Sequence, residues 1–218
     1  MATGRSTPVR VEGATENAAA TQALVDKLVG RGLDPAVLRL FILDGAKALK
    51  AVKARFGKLT PIQRCQDHKA RNILERRPKK YVGSVRKTLR KAWEMDEVLE
   101  AERLFRDHAK RIQREAPGVS GSIPKGLDEI LTVTRLRLPF ELRSSLACTN
   151  AIENMQGTIW RVTRNVKRWR DASMALRWAA AGMIEAKAGL RRMTSHRQLP
   201  ALRHALVEHH ARDALKNA

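Results

Sequence analysis

The chain has 218 residues, which is enough for one large domain or for one domain that carries an insertion. Hydrophobic residues make up 43% of it, so it can bury a sizeable core and is not expected to be disordered as a whole. Its 43 lysines and arginines against 22 acidic residues give a net charge of +21, which indicates a polyanionic partner, most commonly nucleic acid.

Other classes of protein fit the composition less well. An anionic membrane surface would also attract this charge, but there is no apolar run long enough for a membrane-spanning helix, and the opening MATGRSTPVR lacks the apolar stretch of a secretory signal. The two cysteines, Cys65 and Cys148, give no disulfide framework, which favours a cytoplasmic location. An aromatic content of 4% disfavours a protein that binds single strands by stacking.

The first half of the chain alternates between helix and strand patterns. Residues 1–14 are predicted to be a disordered lead-in, and residues 15–17 offer N-cap side chains for a helix that ends at Gly30 and Gly32. An apolar strand is predicted at 38–43. A helix with Leu49, Val52 and Phe56 on one face follows and ends at Gly57.

A second strand is predicted at 62–65, and it leads into a basic helix that ends by Pro78. The alternation of helices and strands is typical of an α/β unit with parallel strands.

From Val82 to about Leu136 the pattern is helical throughout. One helix is marked by Val85, Leu89 and Trp93, and Asp96 is predicted to cap the next, which carries Val98, Leu99, Phe105 and Ile112. A helix is predicted around 127–133, and Pro139 closes this part. Further helices are predicted at about 151–166, 172–190 and 200–215.

Asp44 is the first candidate for a functional residue. A carboxylate directly after an apolar strand, followed by Gly45, occupies the place where α/β sheets position groups that handle ligands. Asp is equally suited to cap the helix that follows, and the local sequence leaves the two interpretations open.

Glu153 is the second candidate. Ile152, Met155, Ile159, Val162 and Val166 recur at spacings of three and four and predict a buried face beside it. Trp160 and Arg164 return to nearly the same face as Glu153, an arrangement that suits a metal beside a phosphate backbone. A surface glutamate favoured by the helix dipole is the simpler interpretation of that residue alone.

The segment 161–170 carries five cations without an acid between them. They are either an ordinary solvated surface or phosphate contacts, and the charge of the whole chain favours the second. Trp169 within this segment is either a core residue or a contact to DNA.

Cysteine and histidine patterns are weaker signals. Cys65 and His68 form a C-x2-H pair, but two ligands without a second pair do not predict a zinc site. His204, His209 and His210 are predicted to be exposed residues of the last helix.

Six blocks of sequence, in this order, resemble the mutator-type transposases of bacterial insertion sequences. They are GATEN (13–17), RGL (31–33), LDGAKAL (43–49), FG (56–57), QRCQDHKARN (63–72) and CTNAIEN (148–154). The resemblance runs from about residue 11 to residue 193, and six ordered blocks are far more specific than any one of them. Cys148 stands where many of these transposases have a second Thr.

The resemblance implies an RNase H-like fold with a catalytic Asp–Asp–Glu triad, and a helical insertion before the helix that bears the glutamate. By this resemblance Asp44 and Glu153 are catalytic residues and ligands of Mg²⁺ or Mn²⁺, and Cys65 and His68 flank the site. Three carboxylates can hold two divalent ions, one that activates a nucleophile and one that stabilises the leaving oxygen.

Double-stranded DNA, as transposon ends and as target, is the partner that the resemblance implies, with a homodimer as the assembly of the intact protein and no membrane partner. The side chains expected near phosphate and Glu153 are Trp160, Arg161, Arg164, Lys167 and Arg168.

The chain departs from the family at the first aspartate of the triad. In the family it lies upstream of the GATEN block, whereas residues 1–12 of this chain contain no Asp. We therefore expect the chain to be the C-terminal portion of a transposase, with a truncated RNase H-like fold, and to be inactive by itself.

A non-catalytic DNA-binding protein derived from a transposase is one alternative. An RNA- or ribosome-associated helical protein is another, but phosphate binding alone would need none of the six blocks.

Five segments follow from this interpretation. They are a disordered lead-in (1–14), a partial RNase H-like α/β part (15–80), an α-helical insertion (81–147), the catalytic-Glu helix with a following basic helix (148–193), and a C-terminal helical tail (194–218).

Overall fold

A computed structural model describes residues 18–75, 81–190 and 193–216 of the chain. The predicted lead-in at 1–14, the cap candidates at 15–17 and Pro78 lie outside these described residues. Within them the fold is mostly helical with a small parallel sheet, which confirms a mostly helical α/β class.

Two strands and twelve α-helices are found in the described part of the chain. The strands are β1 (Phe41–Leu43) and β2 (Ile62–Arg64). The helices are α1 (Ala18–Gly30), α2 (Ala46–Phe56), α3 (Gln66–Glu75), α4 (Val82–Glu94), α5 (Val98–Ile112), α6 (Pro117–Ser120), α7 (Leu127–Ile130), α8 (Thr132–Arg135), α9 (Phe140–Leu146), α10 (Asn150–Thr163), α11 (Ala172–Gly189) and α12 (Leu199–Lys216).

The two strands pair in parallel, with Phe41 opposite Ile62 and Leu43 opposite Arg64. The first strand was predicted at 38–43 but begins only at Phe41, so residues 38–40 are not part of it. A turn comes first, in which the Asp34 carboxylate accepts a hydrogen bond from the backbone of Ala36 at 2.9 Å. The ladder begins only where Phe41 N donates to the carbonyl of Pro61.

A small core lies beside the sheet. Val25 of α1, Val52 of α2 and Ile62 of β2 are buried together, and the rings of Phe41 and Phe56 pack with their centroids 4.7 Å apart. Helix α2 ends as predicted at Gly57, whose φ of 93° suits a residue without a Cβ.

A larger core joins the helices from α3 to α7. The predicted core positions Val85, Leu89, Phe105 and Ile112 are buried in it, as apolar spacings of three and four require. Leu99 contradicts its prediction, because its side chain is 79% exposed on α5.

Asp96 was predicted to cap α5, and this prediction is wrong. The N-cap position belongs to Glu97, which makes no capping hydrogen bond through its side chain. The carboxylate of Asp96 instead contacts Nη2 of Arg143 at 2.9 Å, since a buried guanidinium needs a counter-charge.

Several helix bounds also differ from the prediction. The helix expected at 127–133 is divided into α7 and α8, and the short helix α9 was not predicted at all. Helix α10 ends at Thr163 rather than at 166. Helices α11 and α12 agree with the prediction to within one residue at each end.

The chain folds into two compact units. Among the described residues, one unit contains 149–190 and Met193, with helices α10 and α11, and the other contains 18–75, 81–148 and 194–216. In the first unit α10 and α11 pack closely at Gly182. The second unit holds both strands and all the other helices. No helix in the described part of the chain is both long enough and apolar enough to cross a membrane.

Candidate active site and nucleic-acid interface

Asp44 follows β1 directly, at the carboxyl end of the sheet. The N-cap position of α2 is occupied by Gly45, without a capping bond from a side chain, so the structure does not support the interpretation of Asp44 as a cap. The side chain of Asp44 is 50% exposed. Its oxygens are therefore accessible at the edge of the sheet where parallel strands place ligand-binding groups.

His68 lies beside this carboxylate. Its Nε2 is 3.7 Å from Asp44 Oδ2, and its side chain is mostly buried. His68 comes from the first turn of α3, which begins immediately after β2. Because β1 and β2 are parallel and in register, the residues that follow the two strands come together at one edge.

Cys65 links β2 to α3 and is buried. Its backbone N–H donates to the carbonyl of Leu43 at 2.7 Å and extends the ladder by one bond beyond β2. Its carbonyl accepts from Lys69 N at 3.1 Å, within the first turn of α3. The C-x2-H pair thus lies where strand becomes helix, and Cys65 helps to fix the start of the helix that carries His68.

A buried polar network beneath this edge was not predicted from the sequence. Gln63 is fully buried in β2; its Nε2 donates to the carbonyl of Ile130 at 2.7 Å, and its Oε1 accepts from Val133 N at 3.0 Å. Lys69 is buried as well, and its Nζ donates to the carbonyls of Ser122 and Lys125, both at 2.6 Å. These side chains attach α7, α8 and the loop at 122–125 to the strand and the helix at the candidate site.

The spacing of Gln63, Gln66 and Lys69 was the signal available for that network. All three are polar and buried, at intervals of three residues across the junction of β2 and α3. A buried polar side chain requires hydrogen-bond partners, so a polar stripe in an otherwise buried strand and helix predicts contacts to backbone carbonyls.

Glu153 lies in the first turn of α10 and is half-buried. Its Oε1 accepts a hydrogen bond from the hydroxyl of Thr149, the N-cap residue, at 3.2 Å. The helix dipole stabilises a carboxylate in the first turn of a helix. This position therefore agrees with the simpler interpretation of Glu153, a glutamate placed there by the helix dipole. The role of Glu153 as a metal ligand stays a prediction.

The predicted buried face of α10 is only partly present. The helix has no fully buried residue; Met155, Ile159 and Val162 are half-buried, and Ile152 is exposed. A helix that packs mainly against one neighbour, α11, buries a narrow stripe rather than a wide face.

The basic segment is exposed and mostly lies outside α10. Arg161 is in the last turn, Arg164 is the C-cap residue, and Lys167, Arg168 and Arg170 lie in the connection to α11. Helix α11 begins at its own N-cap, where Asp171 Oδ1 accepts from Met174 N. The predicted helix to 166 thus ends three residues early, and residues 164–171 connect it to α11.

Two tryptophans accompany these cations. The side chain of Trp160 is 73% exposed and that of Trp169 is also exposed, so Trp169 is not a core residue. Within the described residues, no carboxylate pairs with Arg161, Arg164, Lys167, Arg168 or Arg170. The segment is thus an accessible cluster of positive charge with aromatic surface beside it.

Comparison with known proteins places the chain in a family. The profile "Transposase, Mutator family" matches residues 8–188, most of its length. The chain belongs to the Mutator family of transposases. The matched region contains Asp44, His68 and Glu153 as well as the basic segment, so all the candidate residues of both units lie within the part that Mutator transposases share.

One relative is the transposase of insertion sequence element IST2 from Acidithiobacillus ferrooxidans. It is 29% identical to this Mutator-family chain over 156 residues, which cover 72% of the chain and 52% of the relative. The chain thus spans about half the length of this curated relative.

Proposed function

We propose that the chain acts in DNA transposition of an insertion sequence, as part of a transposase with an RNase H-like fold. The observation that carries the proposal is the family match over residues 8–188, combined with the position of Asp44 at the carboxyl end of a parallel sheet. In this proposal Asp44 and Glu153 are two catalytic carboxylates, and double-stranded DNA is the substrate.

The chemistry of Asp44 fits a hard divalent cation. Mg²⁺ and Mn²⁺ prefer carboxylate, water and phosphate oxygens, and a half-exposed carboxylate can offer oxygens to the ion while solvent or DNA completes its shell. Bound there, the metal would activate a nucleophile and stabilise the leaving oxygen of a phosphodiester. His68 contacts Asp44 Oδ2 and would orient the carboxylate, as groups behind a ligand commonly do.

The basic segment supports DNA as the partner. Arg161, Arg164, Lys167 and Arg168 are exposed and have no acidic partner within the described residues, which leaves their charges available for phosphates. Trp160 offers an aromatic face beside them. Contacts of this kind position a nucleic acid without reading its sequence.

The triad of the family requires one more carboxylate. Asp44 and Glu153 supply two of the three, and we propose that this chain by itself binds DNA without cleaving it. The same observation favours a second candidate function, a non-catalytic DNA-binding protein derived from a transposase.

The two candidates are tested by measuring binding and cleavage separately on the purified chain. Fluorescence anisotropy with a labelled duplex gives the affinity and its dependence on salt, and a gel assay with Mg²⁺ or Mn²⁺ gives strand cleavage and joining. We expect salt-sensitive binding without cleavage. Cleavage that disappears in both Asp44→Ala and Glu153→Ala would overturn the proposed inactivity, and failure to bind duplex DNA at low salt would overturn both functions.

A further inference from the structure

A groove of about 390 Å³ lies between α3, α4 and α9, all within the second compact unit. We call it the Trp93 groove; the residues that matter here are Arg86, Arg90, Trp93, Phe140 and Arg143. Its volume is within the range of sites that hold one small organic group, roughly 300–1,000 Å³. None of the residues assigned to the candidate active site lines it.

The floor of the groove is aromatic and apolar. Trp93 packs against the large helical core on one side and lines the groove on the other, near Leu89. Phe140, the first residue of α9, is 54% exposed at the rim. Two aromatic side chains in the lining of one groove offer surface on which a planar ring can stack.

Two buried donors in the groove have no hydrogen-bond partner among the described residues. One is Nε1 of Trp93 and the other is Nε of Arg143. The side chain of Arg143 is only 4% exposed, and its Nη2 is already bound to Asp96 Oδ1 at 2.9 Å and to the carbonyl of Glu94 at 3.2 Å. Because buried N–H groups are normally paired, these two donors call for an acceptor from a bound group.

The entrance of the groove is basic. Arg86 and Arg90 lie one turn apart on α4, both exposed, and no carboxylate pairs with them in the described residues. The guanidinium of Arg143 lies over the ring of Phe140, with Cζ 5.6 Å from the ring centroid. Asp67 and Glu94 also line the groove and can accept hydrogen bonds from amino groups.

We propose that the Trp93 groove binds a single unpaired nucleobase of the bound DNA, with its flanking phosphates on Arg86 and Arg90. A nucleobase satisfies all the features together, since it is planar, carries both acceptors and donors on its edge, and is attached to phosphates. A free phosphate would leave the aromatic floor unused, and an apolar group would leave the buried donors unpaired. The inference rests on the proposed binding of DNA.

The proposal requires a preference for DNA in which a base is already unpaired. Extruding a base from an intact duplex costs unstacking and unpairing, and an unpaired base avoids that cost. We therefore expect the chain to bind a duplex with one extrahelical adenine about five- to tenfold more tightly than the same duplex without it. If the extra base is 2-aminopurine, its fluorescence should change when it stacks in the groove.

Variants in the groove test the assignment. Phe140→Ala removes the exposed ring, Phe140→Tyr keeps it, and Arg90→Gln removes one cation at the entrance; all three change exposed side chains. Leu99→Ala and Arg114→Gln are matched controls, because they remove an exposed apolar and an exposed basic side chain outside the groove. Circular dichroism of each variant checks the fold.

The expected result is that Phe140→Ala and Arg90→Gln each lose most of the preference for the extrahelical base, whereas Phe140→Tyr and both controls retain it. Equal affinity of the unaltered chain for both duplexes would overturn this inference and leave the proposed DNA binding intact. The same holds if the preference persists in Phe140→Ala and Arg90→Gln. Failure to bind either duplex would instead refute the DNA-binding function, and this inference with it.

Discussion

Nε2 of His68 lies 3.7 Å from Oδ2 of Asp44, so the residues that follow β1 and β2 meet at the carboxyl end of the sheet. This contact gives the candidate metal site a location that can be tested without any DNA reaction. Fe²⁺ binds where other divalent cations bind to oxygen and nitrogen ligands. With dissolved oxygen as the oxidant and ascorbate to regenerate Fe²⁺, it produces hydroxyl radicals that cut the nearby polypeptide.

We expect Fe²⁺ and ascorbate to cut the chain close to residues 44 and 68, as read by mass spectrometry of the fragments. Excess Mg²⁺ and the variant Asp44→Asn should both suppress these cuts, because each removes Fe²⁺ from the same carboxylate. The control Asp107→Asn changes an exposed aspartate of α5 and should leave the cuts unchanged. Cuts that persist in Asp44→Asn would contradict the assignment.

The basic segment after α10 should contribute to DNA affinity through charge alone. We expect the double variant Lys167→Gln/Arg168→Gln to bind duplex DNA more weakly at low salt and to reduce the slope of log affinity against log salt by about two. The double variant Lys110→Gln/Arg114→Gln removes the same charges from the end of α5 and serves as the control. An equal loss in both variants would show that total charge, rather than this segment, determines binding.

Much of the fold was predictable because apolar periodicity reports burial directly. The stripe of Val85, Leu89, Phe105 and Ile112 marked the helical core correctly. The errors in the helix bounds came from residues that are compatible with either the end or the start of a helix. Pro139 is typical of a helix terminator, but it occupies the N-cap position of α9, where a missing N–H costs nothing.

The candidate site was predictable in part, for a related reason. The apolar run before Asp44 located the carboxyl end of a strand, but the contact to His68 depends on the register of β1 and β2, which a single sequence does not reveal. The burial of Gln63 and Lys69 was missed because polar residues are usually exposed. Their partners are backbone groups far along the chain, so the spacing of the polar residues could indicate burial but could not identify those partners.

Gln63 should be important for stability. Its side chain bonds to Ile130 O and Val133 N from a fully buried position. Gln63→Leu would therefore leave Val133 N without this acceptor and Ile130 O with only the longer bond from Gln66 Nε2 at 3.4 Å. We expect the free energy of unfolding to fall by about 2–4 kcal/mol, as measured by urea denaturation. Gln113→Leu, at the exposed end of α5, should change it by less than about 0.5 kcal/mol. Similar values for the two variants would exclude a structural role for the network.

The two glycines of the α10–α11 pair predict opposite effects of the same substitution. A Cβ on Gly182 would come within 2.8 Å of Ile159 Cα, whereas a Cβ on Gly157 would meet nothing within 4 Å. Gly182→Ala should therefore lower the free energy of unfolding by about 1–3 kcal/mol through overpacking. Gly157→Ala should raise it by about 0.5–1 kcal/mol, since alanine is the better helix former. Thermal unfolding measures both, and a stabilising Gly182→Ala would refute the close packing of the two helices.

His108 predicts how stability depends on pH. Burial lowers the pKa of His108 below its ordinary value of 6.5, and the nearby Arg111 guanidinium lowers this pKa further. Nδ1 of His108 lies 3.1 Å from the hydroxyl of Thr88 and 3.5 Å from Nη2 of Arg111, an environment suited to a neutral ring that accepts at Nδ1. The folded chain is therefore expected to hold this histidine uncharged.

The sign of the effect follows from where the proton binds more readily. The unfolded chain takes up a proton at His108 as the pH falls through about 6.5, before the folded chain does, so folding loses stability from there down to the lower pKa of the folded state. We expect the free energy of unfolding to decrease between pH 7 and pH 5, and His108→Gln to remove part of that decrease. Denaturant titrations at several pH values measure the slope, and an unaltered slope in His108→Gln would show that other groups cause it.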